Sequence, residues 1–147
     1  MISNAGLVLD ASVAVKLFVT EPGSAEAAKH LESASLIAAP ALLRLETLTA
    51  VIIRMRAMGL AGRLIEKQVD LLLGLMAGPR FALTPNDALL DEALALALGT
   101  PCRLPDCLYV VLARELNLPL VTADRKQADL ARNLGISVSA AAWAGEV

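Results

Sequence analysis

The sequence predicts an α/β fold of three layers, α/β/α, with a central parallel sheet of four to five strands and a protruding helical hairpin. Two patterns carry this reading. Short runs of apolar residues without helical spacing fall at residues 7–9, 36–39, 80–84, 118–123 and 136–138, as expected of strands buried on both faces. Between them lie longer segments whose apolar residues recur at helical spacing. Strands that alternate with helices pair in parallel through right-handed crossovers.

The first strand, Leu7-Val8-Leu9, ends abruptly in Asp10 and feeds a helix over 13–19. In an open parallel sheet, ligands bind in the crevice beyond the carboxyl ends of the strands, which is where Asp10 would stand. Taken alone, Asp10 or Ser12 serves equally well as an N-cap. Glu21-Pro22-Gly23-Ser24 forms a turn, and a short polar helix over 25–32 carries His30, read as a solvated surface residue. The second strand ends at Pro40.

A long helix over 41–58 repeats Leu45, Leu48, Ile52 and Met55, with Arg54 and Arg56 near its end. Glu46 is its anomaly. Leu42, Leu43, Thr49 and Ala50 surround it at helical spacing, so the carboxylate must be paired, protonated or bound to a metal; Arg44 is one candidate pair. Gly59 to Gly62 breaks the chain. Ile65, Val69, Leu72 and Met76 then mark the second arm of a helical hairpin, closed by Gly78-Pro79.

After the third strand comes a helix over 88–98, on which Asp87, Asp91 and Glu92 form a solvated face. The loop 100–106 opens a helix over 107–117, with Asp106 at its start, a position where an acid also suits ordinary helix chemistry. The fourth strand repeats the opening device, since Leu120-Val121-Thr122-Ala123 runs into Asp124. Asp124 and Gln127 resemble a capping box for the last helix, up to Leu134. Ile136-Ser137-Val138 is the last strand, and the tail around Trp143 carries no pattern.

Composition narrows the function classes. A chain of 147 residues suffices for one domain, 1–147, with a full core. The chain is 56% hydrophobic, yet Arg44, Glu46, Arg54, Asp91 and Glu92 interrupt the apolar runs, so none reaches the length of a membrane span. The apolar excess leaves surface for a partner. Met1-Ile2-Ser3-Asn4 lacks the basic region of a secretory signal, and a cytoplasmic location is expected. The net charge of -2 excludes a broadly basic nucleic-acid-coating protein but permits a local basic rim. With 3% aromatic residues there is no platform for stacking successive bases. Cys102 and Cys107, with His30 the lone histidine, make a poor zinc set and read as buried free thiols.

If the strands ending at Asp10 and Asp124 are neighbours, their ends lie about 4.8 Å apart. Two carboxylates about 4 Å apart repel by roughly 4 kcal/mol at an effective dielectric of 20, so a cluster of such acids needs a counter-charge. A divalent cation supplies it, and oxygen ligands alone favour Mg²⁺ or Mn²⁺.

Several motifs, in order along nearly the whole chain, resemble the PIN-domain ribonucleases, and most closely the VapC-type toxins of type II toxin-antitoxin pairs. They are Leu9-Asp10-Ala11-Ser12, Glu21-Pro22-Gly23-Ser24, the stretch from Pro40 to Glu46, the stretch from Asp106 to Ala113, and Leu120-Val121-Thr122-Ala123-Asp124-Arg125. Cys107 departs from the family, which more often has Ala there. The resemblance implies that Asp10, Glu46, Asp106 and Asp124 are metal-binding catalytic acids, with Ser12 and Thr122 supporting them. It further implies a Mg²⁺- or Mn²⁺-dependent endoribonuclease that cuts RNA, a cognate antitoxin covering the groove, and a homodimer. Arg103, Arg125 and Lys126 lie beside candidate acids and are placed for phosphates, or equally for surface ion pairs. Two alternatives stand beside this reading. One is a catalytically silent RNA- or protein-binding module of the same fold. The other is an aspartyl-phosphate phosphotransfer domain with Asp10 as nucleophile, which leaves Glu46 without a role.

Overall fold

The computed structural model describes residues 6–140, so the readings made at Met1 to Asn4 and around Trp143 lie outside the described residues. Five strands, β1 (Leu7–Leu9), β2 (Ile37–Pro40), β3 (Phe81–Thr84), β4 (Leu120–Thr122) and β5 (Val138–Ala140), form one parallel sheet in the order β3-β2-β1-β4-β5. Its helices are α1 (Ala11–Ala14), α2 (Ser24–Ser33), α3 (Leu42–Ala57), α4 (Gly62–Met76), α5 (Leu90–Gly99), α6 (Leu104–Leu116) and α7 (Arg125–Asn133).

The strand order fixes the layers. The chain steps outward from β1 to β2 to β3, then returns past β1 to β4 and β5. Right-handed crossovers therefore lay α1–α4 on one face and α5–α7 on the other. The packing agrees: α6 lies across β2, β1 and β4 with α5 and α7 against it, while α3 contacts α1 and β2 and carries α4 as the outer arm of the hairpin. Between β1 and β4 the crossovers diverge to opposite faces, which opens a crevice at the carboxyl ends of these two strands.

The central strands are apolar because both of their faces are covered. Val8, Leu9, Ile37, Ala38, Leu120 and Val121 are buried, as are Val110, Val111 and Leu112 of α6 that pack on them. Edge strand β3 is less enclosed. Cys102 and Cys107 are free and buried, as expected of reduced thiols. His30 sits partly exposed on α2. Among the described residues no single helix is long and apolar enough to cross a membrane.

Several boundaries differ from the sequence reading, each for a local reason. The first helix is short: after α1 the chain tightens into a 3-10 turn over Val15–Leu17. The fifth strand lies two residues later than its apolar pattern implies. Gly135, at φ 78°, ends α7 in a Schellman turn, with its N–H donating to the Arg132 carbonyl and that of Ile136 to the Ala131 carbonyl at 2.9 Å. Ile136 is thus the apolar residue that seals the helix end, and pairing of β5 begins beyond it. Helix α6 starts at Leu104, which places Asp106 within its first turn and Pro105 where its missing N–H costs nothing.

Helix α3 has no N-cap of its own. Asn86, from the turn after β3, supplies one across space, its Oδ1 accepting from the Leu42 N–H at 3.0 Å. This fixes the start of the helix that carries Glu46. Leu43 is fully buried on the inner side of α3, whereas Leu45 is 65% exposed. Leu43→Ala is expected to lower unfolding free energy by about 2–5 kcal/mol in urea titration, and Leu45→Ala to change it by less than about 0.5 kcal/mol; similar losses at both positions would contradict the burial pattern.

Candidate active site

Asp10 stands at the carboxyl end of β1, where the register pairs Leu9 with Val121 and the Asp10 N–H donates to the Val121 carbonyl at 3.0 Å. Thr122, not Asp124, therefore lies opposite Asp10 on β4. The adjacency of the two strands holds, but Asp124 sits two residues further on as the N-cap of α7. Its Oδ1 accepts from the Gln127 N–H at 3.1 Å. Only half of the capping box forms, because the Gln127 side chain turns inward.

Although Asp10 is only 4% exposed, it carries a carboxylate. Oδ2 accepts from the Ser12 N–H at 3.0 Å and from the Thr122 hydroxyl at 3.4 Å, and Oδ1 accepts from Gln127 Nε2 at 3.2 Å. Asp10 is at once a helix cap and a site acid. Burial raises its pKa, the donors from Ser12 and Gln127 oppose that rise, and the charge of Asp124 adds to it. Ser12 Oγ accepts from the Ala123 N–H at 3.0 Å and lies 3.4 Å from Thr122 Oγ1; Thr122 Oγ1 in turn accepts from the Asp124 N–H at 3.0 Å. The two hydroxyls lace the ends of β1 and β4 together.

Glu46, on α3, is half-buried and forms no pair with Arg44. It accepts from the Tyr109 hydroxyl at 2.7 Å. Desolvation raises its pKa and Asp10 adds to the rise, while Tyr109 and the positive charge of Arg103 oppose it. Burial, reinforced by the acids around it, raises the Tyr109 hydroxyl as well, so it remains a donor. Asp106 is pushed from 3.8 to about 6, first by burial and then by Asp10 and Asp124, with Arg103 opposing.

Asp10, Ser12, Glu46, Asp106 and Asp124 all line one cleft of about 230 Å³. Arg54 lines it too. The Glu21 turn explains that arginine: Glu21 Oε2 holds Arg54 Nε at 3.0 Å while Lys16 Nζ pairs with Glu21 Oε1 at 3.2 Å. Gly23, at φ 94°, gives that turn the left-handed backbone from which α2 starts. Arg103 precedes α6 on the exposed side of the acids, and Arg125 and Lys126 are exposed at the start of α7.

Among the described residues, no group of three or more acidic, histidine or cysteine side chains converges as closely as direct ligation of one ion by all of them requires. Three of the four acids have their own donors instead: Asp10 has three, Glu46 has Tyr109, and Asp124 has the α7 N-terminus. The donor set still suits a hard cation, since the cleft presents carboxylate and hydroxyl oxygens and Mg²⁺ is commonly held by one or two carboxylates with several waters retained. The buried cysteines and the distant His30 offer nothing to a zinc ion.

Tyr109, Gln127 and Arg54 belong to this site and were not picked out by the sequence reading. Tyr109 had a signal, because it follows Asp106 by one helical turn and so shares its face. Gln127 and Arg54 had none that short-range spacing could supply.

An acid-lined cleft at the switch point of a doubly wound parallel sheet defines the class of domain. The chain belongs to the PIN domain family, which matches residues 7–133. Against curated proteins the sequence finds no match. Among solved structures the chain is similar to VapC20 of Mycobacterium tuberculosis, described as a sarcin-ricin loop cleaving toxin, with TM-score 0.68 and 11% identity over 84% of this chain and 94% of that one. It is also similar to a chain of a toxin-antitoxin complex from Klebsiella pneumoniae, with TM-score 0.59 and 20% identity over 82% and 88%. A third likeness is to FitAcB from Neisseria gonorrhoeae, with TM-score 0.58 and 19% identity over 90% and 95%. These likenesses show the fold.

The Asp106 carboxyl gives a pH signature in the metal-free protein. Because the folded chain holds this proton up to about pH 6 and the unfolded chain releases it near 3.8, the folded state binds more protons in that window. Stability from this group is therefore complete below the lower value and lost as pH rises through the upper one. In EDTA, the melting temperature of Asp106→Asn relative to wild type should rise between about pH 4 and pH 7; a constant difference would contradict the shift.

Proposed function

We propose that this chain is a divalent-metal-dependent endoribonuclease, the VapC-type toxin of a toxin-antitoxin pair. The observation that carries the reading is the delivery of Asp10, Glu46, Asp106 and Asp124 from separate elements to one cleft, with burial raising the pKa of the first three. Such repulsion and desolvation are costly to maintain unless a cation relieves them. Family membership supports the nuclease class. The similar structures described as toxins and toxin-antitoxin complexes support the biological role.

When bound, Mg²⁺ or Mn²⁺ supplies a Lewis acid for the phosphoryl oxygens and lowers the pKa of an attacking water. Asp10 and Asp106 are the acids we assign to hold the ion, with Asp124 beside them. Glu46, held at one oxygen by Tyr109, keeps the other for orienting the water. Ser12 and Thr122 fix Asp10 against the end of β4. Arg54, pinned by Glu21, faces the cleft as a counter-charge to RNA phosphates, joined by Arg103 and, at the start of α7, by Arg125 and Lys126. The phosphotransfer alternative fits poorly, because it gives no role to Glu46, which Tyr109 holds in the same cleft.

Leu45 and Ile53 are exposed on α3 beside the cleft, above a groove of about 590 Å³ that shares Glu46, Ala50 and Arg54 with it. An antitoxin segment seated there would also cover the acids. Leu90, Leu94 and Leu98 form an exposed stripe on α5, which we assign to the homodimer.

Partner-free protein should cleave a mixture of total and structured RNA in Mg²⁺ or Mn²⁺ and not in EDTA. Asp10→Asn and Glu46→Gln, folded by circular dichroism, should lower the rate by about 100-fold or more. Metal-independent cleavage, or folded variants that cut as the wild type does, would refute the assignment. Leu94→Glu should sediment as a monomer at concentrations where wild type is a dimer, and an unchanged sedimentation coefficient would remove α5 from the interface.

A further inference from the structure

Gln127 is fully buried within the first turn of α7, a helix whose sequence is otherwise largely polar. Both hydrogens of its amide nitrogen are committed. One goes to Asp10 Oδ1 at 3.2 Å and the other to the backbone carbonyl of Asp106 at 3.0 Å. A single side chain thereby ties the end of β1, the first turn of α6 and the start of α7 to one point. The carbonyl side of the amide gains nothing: Gln127 Oε1 is buried with no hydrogen-bond partner among the described residues. An apolar side chain of similar size would fill the same space and leave no buried Oε1, but it would take from Asp10 Oδ1 and the Asp106 carbonyl the donor that Gln127 supplies. Packing alone is therefore a poor account of a glutamine here.

We propose that Gln127 is a positioning residue that sets the orientation of the Asp10 carboxylate, and its placement relative to Asp106, for a divalent cation. This rests on the metal-site reading above. The lone pairs carry the argument. A carboxylate offers about four acceptor positions. On Asp10 the two of Oδ2 are taken by the Ser12 N–H and the Thr122 hydroxyl, and one of Oδ1 is taken by Gln127. By occupying one position on Oδ1, the Gln127 bond restricts the directions from which the carboxylate could accept an ion. The bond to the Asp106 carbonyl holds the backbone from which the second acid projects. Polar groups that orient a metal ligand from behind commonly account for 10- to 100-fold in metal affinity.

The test is Mn²⁺ binding, followed by the loss of the free-ion electron paramagnetic resonance signal, on wild type, Gln127→Met and Gln127→Leu, well below their melting temperatures in EDTA. Gln68→Met, which removes a glutamine bonded to the Phe18 carbonyl at 2.6 Å away from the cleft, is the control. The proposal predicts that the Mn²⁺ Kd rises about tenfold or more in both Gln127 variants and is unchanged in the control. A Kd within twofold of wild type in a folded Gln127 variant would overturn it, whatever the change in melting temperature. Should both apolar variants fail to fold, Gln127→Asn keeps the amide but is too short to span both acceptors, and the same comparison applies. Wild type that binds no Mn²⁺ would remove the metal-site reading and this proposal with it, whereas wild-type binding with unchanged variants would remove this proposal alone.

Discussion

A carboxylate that is 4% exposed at the end of a central strand is the condition on which the rest of this structure depends. Moving such a group out of water is costly, and the cost is offset only by donors aimed at it. Three elements supply them: the α1 backbone through Ser12, β4 through Thr122, and α7 through Gln127. The parallel pairing of β1 with β4 brings Thr122 opposite Asp10, so the sheet topology and the site electrostatics are one arrangement seen at two scales.

Around that acid the outer elements are set with similar care. Asn86 caps α3 from another loop, which fixes where Glu46 falls, and Tyr109 of α6 meets Glu46 across the crevice. Asp106 enters the same cleft one turn earlier on α6. The Glu21 turn reaches back to hold Arg54 against the acids. Asp10, Glu46 and Arg54 each have a partner from a different part of the chain. Local unfolding of one element thus exposes its partner to an uncompensated environment.

The strands and the layer order were legible in the sequence because burial on both faces leaves an apolar signature that needs no partner to be read. Asp10, Glu46 and Asp124 stood out as acids interrupting or ending apolar stretches, whereas Asp106, which ordinary helix chemistry explains equally well, was singled out through the family resemblance. Their geometry was not legible. The position of Asp124 beyond Thr122 depends on the β1–β4 register, which no local pattern encodes. Gln127 looked like half of a capping box, and its turn toward Asp10 depends on a residue 117 positions away. Ile136 looked like strand because helix-sealing and strand-forming residues share the same apolar chemistry. What spacing along the chain can reveal stops at about one helical turn, and the site is assembled at longer range.

Diffraction at the manganese edge, from crystals of the partner-free protein grown with Mn²⁺, is the measurement that bears most directly on the central claim. An anomalous peak in the cleft about 2.0–2.3 Å from a carboxylate oxygen of Asp10, with Asp106 or a water it holds as the next ligand, is the predicted result. Density for Mn²⁺ elsewhere on the chain with the Asp10 cleft empty, at concentrations that support RNA cleavage, would contradict the account.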